Sequence, residues 1–226
     1  MVRVLVIADE EAPNLHYQAL RDLAPDLVLS AGDLSWDYVE YVASSVDAPV
    51  VFVPGNHDPE VERARRGRNG TYTANGLPCD SPRPHGATNA DVRVVATAGL
   101  RIAGLGGCVR YRPGPHQYTQ RQYDARAQRL LRRAGRDARV DVLLTHAPPL
   151  GLGDGDDKPH EGIAALHRLL ERLRPSWHVH GHIHPYGQTM PDRHVGPTTI
   201  RNVVPWRLID VGPTSGNAAS AEMSSW

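Results

Sequence analysis

Apolar runs and helical periodicities alternate along the first 60 residues of the chain. Residues 2–8 form an apolar run that is interrupted only by Arg3, which is typical of a strand that is buried on both faces of a sheet. The spacing of apolar positions predicts helices over residues 14–22 and 36–45. Shorter apolar runs predict strands over residues 26–30 and 50–54. This alternation of strands and helices favours an α/β fold.

The periodicity fails between residues 60 and 91, where arginine, glycine, proline and asparagine are frequent. A loop of this length inside a compact domain is uncommon and is often functional. It directly follows the GNHD sequence at residues 55–58, so we interpret it as a flap or rim over a site. A passive surface excursion is the alternative.

Regular patterns return after residue 91, beginning with a predicted hairpin that turns at Ala98 and Gly99. The elements predicted in this part are strands over 92–97 and 100–105, a helix over 119–134, a strand over 140–145, a helix over 162–173, a strand over 177–180 and a terminal hairpin over 198–211. The segment 212–226 has too few apolar residues to order itself. We therefore predict one domain over residues 1–211 and a disordered C-terminal tail.

Composition narrows the class of protein. The chain has 226 residues, enough to bury one core, and its 25 Lys plus Arg equal its 25 Asp plus Glu. Overall charge therefore does not favour nucleic acid or an anionic membrane as a partner. We see no signal peptide and no membrane-spanning stretch, and we expect a cytoplasmic protein. Cys79 and Cys108 do not make a disulfide framework, so we expect free thiols, with a bridge between them as the alternative.

Short polar blocks follow five of the predicted strands. In chain order they are Asp9-Glu10-Glu11, Gly32-Asp33, Gly55-Asn56-His57-Asp58, His146 and Gly181-His182-Ile183-His184. Open α/β sheets bind ligands at the carboxyl ends of their strands, and mixed carboxylate, amide and imidazole donors suit divalent metal ions. Each block alone has a simpler interpretation, since an Asp at a strand end often caps a turn and a lone His is usually structural. Together they predict a metal site.

The five blocks resemble the signature of calcineurin-like metallophosphoesterases, which runs D-x-H, GD, GNH[DE], H and GHxH, and the likeness covers residues 2–211. The resemblance implies an α/β fold, a four-layer α/β/β/α sandwich with two mixed β-sheets flanked by helices. It implies hydrolysis of small phosphodiesters or phosphomonoesters through attack by a metal-bridging hydroxide. The chain looks most like small bacterial members, and more loosely like the class that hydrolyses cyclic nucleotides, because THAPPLG at 145–151 precedes KPHEG at 158–162.

The resemblance also assigns the ligands of two divalent ions. Asp33 would bridge both ions, and the others would divide between them: Asp9 and His184 on the first ion, and Asn56, His146 and His182 on the second. One residue separates the two histidines of GHxH, so both side chains point the same way from extended backbone. A single short segment can thus reach both ions.

The first block departs from the family pattern, because Glu11 stands where the family has histidine. We predict that Glu11 is a metal ligand. The alternative is that its side chain turns away and the first ion binds weakly. A carboxylate ligand favours harder ions, so we expect Mn²⁺, with Fe²⁺, Ni²⁺, Mg²⁺ or Zn²⁺ as alternatives.

His57 follows the ligand Asn56 but binds no metal in the family pattern. We predict that it protonates the leaving alkoxide or holds a phosphoryl oxygen, with Asp58 orienting it. A structural His57 that caps the next turn is the alternative. Arg110 is a candidate for binding the substrate phosphate or a nucleobase, and a surface ion pair is its alternative.

Two other functions stay open at this stage. A nuclease would need a basic groove, for which the run at residues 63–68 is the candidate. A non-catalytic binding module would keep the fold and lose the chemistry, and the altered first block motivates it. We predict instead an enzyme whose partner is a small-molecule phosphate ester, with no membrane partner. The oligomeric state and the natural substrate stay open.

Overall fold

A computed structural model describes residues 1–61, 65–67, 71–74, 77–135, 139–188 and 190–212, with only the backbone at residues 65 and 66. Its elements in chain order are β1 (Val2–Ile7), α1 (Tyr17–Leu23), β2 (Leu27–Ser30), α2 (Trp36–Ser45), β3 (Val50–Phe52), β4 (Arg65–Arg66), β5 (Tyr72–Ala74), β6 (Leu77–Cys79), β7 (Ala87–Asn89), β8 (Arg93–Thr97), β9 (Leu100–Leu105), β10 (Cys108–Val109), β11 (Gln117–Tyr118), α3 (Gln120–Ala134), β12 (Val142–Thr145), α4 (Ala165–Leu173), β13 (Trp177–His180), β14 (Arg193–Val195), β15 (Thr198–Asn202) and β16 (Trp206–Val211). The predicted tail lies outside the described residues, apart from Gly212.

Two mixed sheets stack on each other. The first has the order β16-β1-β2-β3-β7, in which only β16 is antiparallel to its neighbour. The second has the order β14-β15-β13-β12-β9-β8, in which the two outer strands are antiparallel to their neighbours. A parallel interior with antiparallel edges makes both sheets mixed, as the resemblance implies.

Three apolar layers hold the sheets and helices together. Along β1, Val4 and Val6 face the layer between the two sheets, whereas Leu5 and Ile7 face the layer under α1 and α2. The alternation follows from the two-residue period of a strand. In the second sheet, Leu143 of β12 packs in a third layer with buried residues of α3 and α4. Burial on both faces explains why such strands are apolar along most of their length. The predicted four-layer sandwich is confirmed.

The predicted terminal hairpin over 198–211 is wrong. β15 pairs with β13 and β14 in the second sheet, whereas β16 pairs with β1 in the first sheet. Val203 and Val204 are buried in the layer between the sheets, where the chain crosses from one sheet to the other. The burial of this crossover outweighs local pairing, and the hairpin is formed by β14 and β15 instead.

The described part of the stretch between residues 60 and 91 contains four short strands. Strands β4, β5 and β6 form a small antiparallel sheet, and β7 pairs with β3 at the edge of the first sheet. Arg83 binds both Asp37 and Glu40 of α2, and Glu40 also accepts the N–H of His85 at 2.8 Å. The later part of the stretch is therefore held against α2.

Two further expectations concern the whole chain. Cys79 and Cys108 are both free thiols. None of the described helices has the length and apolar character that a bilayer crossing requires.

Candidate metal centre

The polar blocks meet at one edge of the stacked sheets because they follow neighbouring strands. Strands β1, β2 and β3 run parallel in the first sheet, and β12 and β13 run parallel in the second. The carboxyl ends of parallel neighbours lie at the same edge. The blocks after these five strands therefore converge from distant parts of the sequence.

The tightest cluster joins Asp33, Asn56, His146 and His182. His146 Nε2 is 3.0 Å from Asn56 Oδ1 and 3.4 Å from Asp33 Oδ2. One ligand atom each of Asp33, His146 and His182 lies within 4.8 Å of the others. Atoms bound about 2.1 Å from one ion are roughly 3.0–3.4 Å apart in octahedral or tetrahedral geometry. The distances from His146 to Asn56 and Asp33 match this spacing, and His182 lies within 4.8 Å, so the cluster has the chemistry of ligands for one divalent ion.

Backbone carbonyl groups fix the orientation of both imidazoles. His146 Nδ1 is 2.8 Å from the carbonyl oxygen of Ala31, and His182 Nε2 is 2.9 Å from that of Pro159. A carbonyl oxygen only accepts hydrogen bonds, so each of these nitrogens donates a hydrogen. His146 Nε2 and His182 Nδ1 are thereby left for a metal ion, as is usual for metal-binding histidines. Pro159 belongs to the KPHEG sequence, which thus contributes to the centre.

The first block meets the end of the GHxH sequence. The Asp9 carboxylate accepts the His182 N–H through both oxygens, at 3.0 and 2.9 Å. His184 Nε2 is 3.9 Å from Asp9 Oδ1, and His184 Nδ1 is 2.8 Å from Glu10 Oε1. Asp9 and His184 thus lie together beside the first cluster. The contact of Glu10 with His184 was missed from the sequence, although Glu10 belongs to the same block.

Glu11 contacts the N-cap of α2. Its Oε1 accepts a hydrogen bond from the Ser35 hydroxyl at 2.6 Å, and Ser35 in turn accepts the N–H of Tyr38 as the N-cap of α2. Ligation by Glu11 stays a prediction and requires this side chain to leave Ser35.

His57 and Asp58 occupy different environments. The His57 side chain is exposed, and its backbone N–H donates to Asp33 Oδ1 at 2.7 Å. Asp58 is buried, and its Oδ2 accepts the N–H groups of Gly55 at 2.7 Å and Asp33 at 3.1 Å. These contacts tie the loops after β2 and β3 together. Orientation of the His57 ring by Asp58 stays a prediction.

Arg110 is held by Gln117 and Gln122. Its guanidinium donates to the carbonyl oxygen of Gln117 at 3.2 and 3.1 Å and to Gln122 Oε1 at 3.3 Å. Substrate binding by Arg110 stays a prediction. The neighbouring Tyr111, which no sequence pattern singles out, has its hydroxyl 3.5 Å from Asn56 Nδ2. This contact favours the amide orientation in which Asn56 Oδ1 faces His146.

Burial and charge divide the titratable groups of the centre. Burial raises the pKa of Asp9 to about 6. Burial also acts to raise the pKa of Asp33, but the charge and hydrogen bond of His146 outweigh it and hold this pKa at about 2. Burial opposes protonation of His146, yet Asp33 raises the pKa of His146 to about 9. Without a metal ion, the proton on His146 supplies the positive charge that Asp33 attracts. A cation at this position satisfies the same carboxylate.

Two glycines of the polar blocks make room for the carboxylates. A Cβ atom at Gly55 would lie 2.0 Å from Asp33 Oδ1, and one at Gly181 would lie 2.0 Å from Asp9 Oδ2. Both distances are far below van der Waals contact. Glycine therefore precedes Asn56 and His182 because a carboxylate from another segment occupies the space of a side chain.

Comparison with known proteins agrees with this geometry. A model of the calcineurin-like phosphoesterase family matches residues 3–186. A UPF0046 protein of Caenorhabditis elegans is 53% identical over 55 residues, which are 23% of this chain and 14% of that protein. Human metallophosphoesterase domain-containing protein 1 is 39% identical over 66 residues, 28% of this chain and 19% of that protein. The aligned part of the chain thus spans less than a fifth of the curated relatives that it matches.

A solved structure has the same fold. The crystal structure of TT1561 from Thermus thermophilus superposes with a TM-score of 0.54 at 13% identity, over 88% of this chain and 87% of that chain. The family match covers most of the chain and all five polar blocks. The chain belongs to the calcineurin-like phosphoesterase family.

Proposed function

We propose that this chain is a metal-dependent phosphoesterase with two divalent ions, and that it hydrolyses small phosphodiesters or phosphomonoesters. The observation that carries the proposal is the convergence of Asp33, Asn56, His146 and His182 from four distant segments, with Asp9 and His184 beside them. A polar cluster of this kind, on the strand ends of a calcineurin-like fold, has a ready explanation as a metal centre.

The charges support two ions. Besides burial, the neighbouring charge of Asp33 contributes to the raised pKa of Asp9, so two carboxylates lie close together in a poorly solvated place. Asp33 lies close to both Asp9 and His146, in keeping with a bridging role. The donors are oxygen and imidazole nitrogen without thiolate, a set that suits Mn²⁺. Bound divalent ions supply Lewis-acid stabilisation of phosphoryl oxygens and lower the pKa of bound water.

His57 is assigned the proton transfer. Its exposed ring stands next to Asp33, and the hydrogen bond from its backbone N–H to Asp33 holds it at the rim of the centre. An imidazole can act as a general acid, so His57 can give a proton to the oxygen of the leaving group. Asp58 fixes the loop that carries His57, because its carboxylate accepts the backbone N–H groups of Gly55 and Asp33.

The test is hydrolysis of bis(p-nitrophenyl) phosphate by protein freed of metal and then supplied with Mn²⁺, Fe²⁺, Ni²⁺ or Mg²⁺. We expect turnover only with metal, and Asp33→Asn should lower kcat/KM by roughly 10²-fold or more. The matched control is Asp124→Asn, which alters an exposed ion pair with Arg168 and should leave turnover unchanged.

Elemental analysis of the same samples separates the outcomes. If the unmodified protein takes up metal, Asp33→Asn abolishes the uptake, and none of the four ions supports turnover, the chain is a binding module. If the unmodified protein takes up no metal, the proposed metal centre itself is contradicted.

A further inference from the structure

A cleft of about 410 Å³ opens beside the metal centre, on the side of His57. Asp33 and His57 line it, together with the apolar side chains of Leu34, Trp36 and Pro59. It is the size of one small organic group rather than of a polymer. Because it shares Asp33 and His57 with the centre, a molecule in it is adjacent to the groups assigned to catalysis.

The position of His57 decides which part of a substrate enters this cleft. This step rests on the proposed function, in which His57 protonates the oxygen of the leaving group. The organic group on that oxygen must then lie beside the His57 ring, and the cleft is the space that His57 lines. Phosphorus and its remaining oxygens stay at Asp33.

Trp36 gives the cleft an aromatic wall. The indole is half-buried, and it packs edge-to-face on Phe52 with ring centroids 5.6 Å apart. This contact fixes the ring at the first residue of α2, while part of it still lines the cleft. A fixed indole offers a stacking partner for a planar ring at little cost in conformational freedom.

The part of the cleft formed by Arg83 and Asp37 carries excess negative charge. Arg83 lines the cleft and is bound by two carboxylates, those of Asp37 and Glu40. The hydrogen bonds from Arg83 hold the pKa of Glu40 at about 2, so Glu40 is ionised at neutral pH. Two carboxylates against one guanidinium leave one net negative charge. A second phosphate on the ligand would be repelled there, which disfavours nucleic acids and nucleotides that carry a further phosphate.

We infer that this cleft binds the leaving group of the ester as a planar aromatic ring without a further phosphate, stacked on Trp36. The shared chemistry fits two sources, the base of a nucleoside and a simple aryl group. Trp36 is then a residue that determines substrate specificity, and Arg83, from the stretch between residues 60 and 91, forms the rim of the site.

The experiment compares three methyl phosphodiesters whose second ester group is phenyl, adenosine or a fluoroalkyl group matched to phenyl in acidity. Trp36→Leu keeps an apolar side chain against Phe52 and removes the aromatic ring. We expect kcat/KM to fall roughly 5- to 150-fold for the aromatic substrates and to fall much less for the fluoroalkyl ester, which has no ring to stack on the indole. The matched control is Trp177→Leu, which alters a half-buried tryptophan stacked with Arg201 in the second sheet.

Which aromatic substrate loses more rate in Trp36→Leu identifies the source, nucleoside or aryl. An equal fall on all three esters, or no fall on any, would overturn the inference while leaving the proposed function intact. If no ester is hydrolysed, binding replaces turnover as the readout. The protein should bind phenyl methylphosphonate more tightly than methyl methylphosphonate, and Trp36→Leu should abolish the difference. Equal binding of both phosphonates by the unmodified protein would show that the cleft does not bind an aromatic leaving group.

Discussion

Two glycines of the centre allow either one metal site or both metal sites to be perturbed. In Gly181→Ala the new Cβ atom would lie 2.0 Å from Asp9 Oδ2 and 2.8 Å from Ala8 Cβ. Atoms in ordinary contact are about 3.5 Å apart, so the carboxylate must move by roughly 1 Å or more. It has little freedom to do so, because the Asp9 side chain is only 2% exposed and both its oxygens accept the His182 N–H.

The size of the effect follows from this collision. Forcing a methyl group into a filled site costs about 1–3 kcal/mol. If this cost falls on the ion that Asp9 binds, its affinity drops roughly 5- to 150-fold. Gly55→Ala creates the same collision with Asp33, at 2.0 Å from Oδ1 and 2.5 Å from the backbone nitrogen. Because Asp33 is assigned to both ions and Asp9 to one, Gly181→Ala should lose one ion and Gly55→Ala should lose both.

The assay is calorimetric titration of metal-free protein with Mn²⁺, with elemental analysis of the loaded samples and circular dichroism to show that each variant is folded. Gly212→Ala is the control, since its Cβ atom would meet only Met1 Sδ at 3.4 Å. Retention of two ions at unchanged affinity by Gly181→Ala would refute the assignment of Asp9. Loss of the same single ion from both variants would refute the bridging position of Asp33.

Two further predictions concern proton transfer and stability. His57→Ala should lower kcat by roughly 10²–10⁴-fold on an ester with a poor leaving group, at unchanged metal content; unchanged turnover would remove His57 from catalysis. Asp91→Ala should lower the free energy of unfolding in urea by about 3–5 kcal/mol, because it leaves the Arg126 guanidinium unpaired where both side chains are mostly buried. Asp124→Ala, which breaks the exposed pair with Arg168, should cost less than about 1 kcal/mol, and equal losses would show that burial of the first pair is unimportant.

The sandwich could be predicted from the sequence wherever strands are buried on both faces. The apolar runs at residues 2–8 and 26–30 become β1 and β2, with neighbours on either side. The crossover between β15 and β16 could not be predicted, because it depends on which sheet each strand joins rather than on any local pattern. Strands β4 to β6 were missed because two or three residues are too few to show a period.

The residue types of the prospective ligands could be predicted from the sequence, but the residues that they contact could not. Asp9 has a positive φ of 63°, so the chain turns after β1 and the alternation of the strand does not continue into Glu10 and Glu11. Which of these two carboxylates faces His184 is therefore set by the turn and not by residue type. The same limit applies to Asp58, since a carboxylate in a loop can bind a ring or backbone N–H groups with equal chemical reason.

The carboxylates of the centre also hold the backbone that carries them. Three residues of the centre have positive φ values, which residues with a Cβ atom rarely adopt: 63° at Asp9, 55° at Asp33 and 68° at His182. Such strain persists only where the surroundings fix it. Asp9 binds the N–H of His182, and Asp33 binds the N–H of His57, so the first block holds the fifth and the second holds the third. Asp33→Asn is therefore informative, because an amide oxygen can still accept the His57 N–H while the charge that attracts a cation is gone. A loss of metal in that variant reports on charge rather than on collapse of the loop.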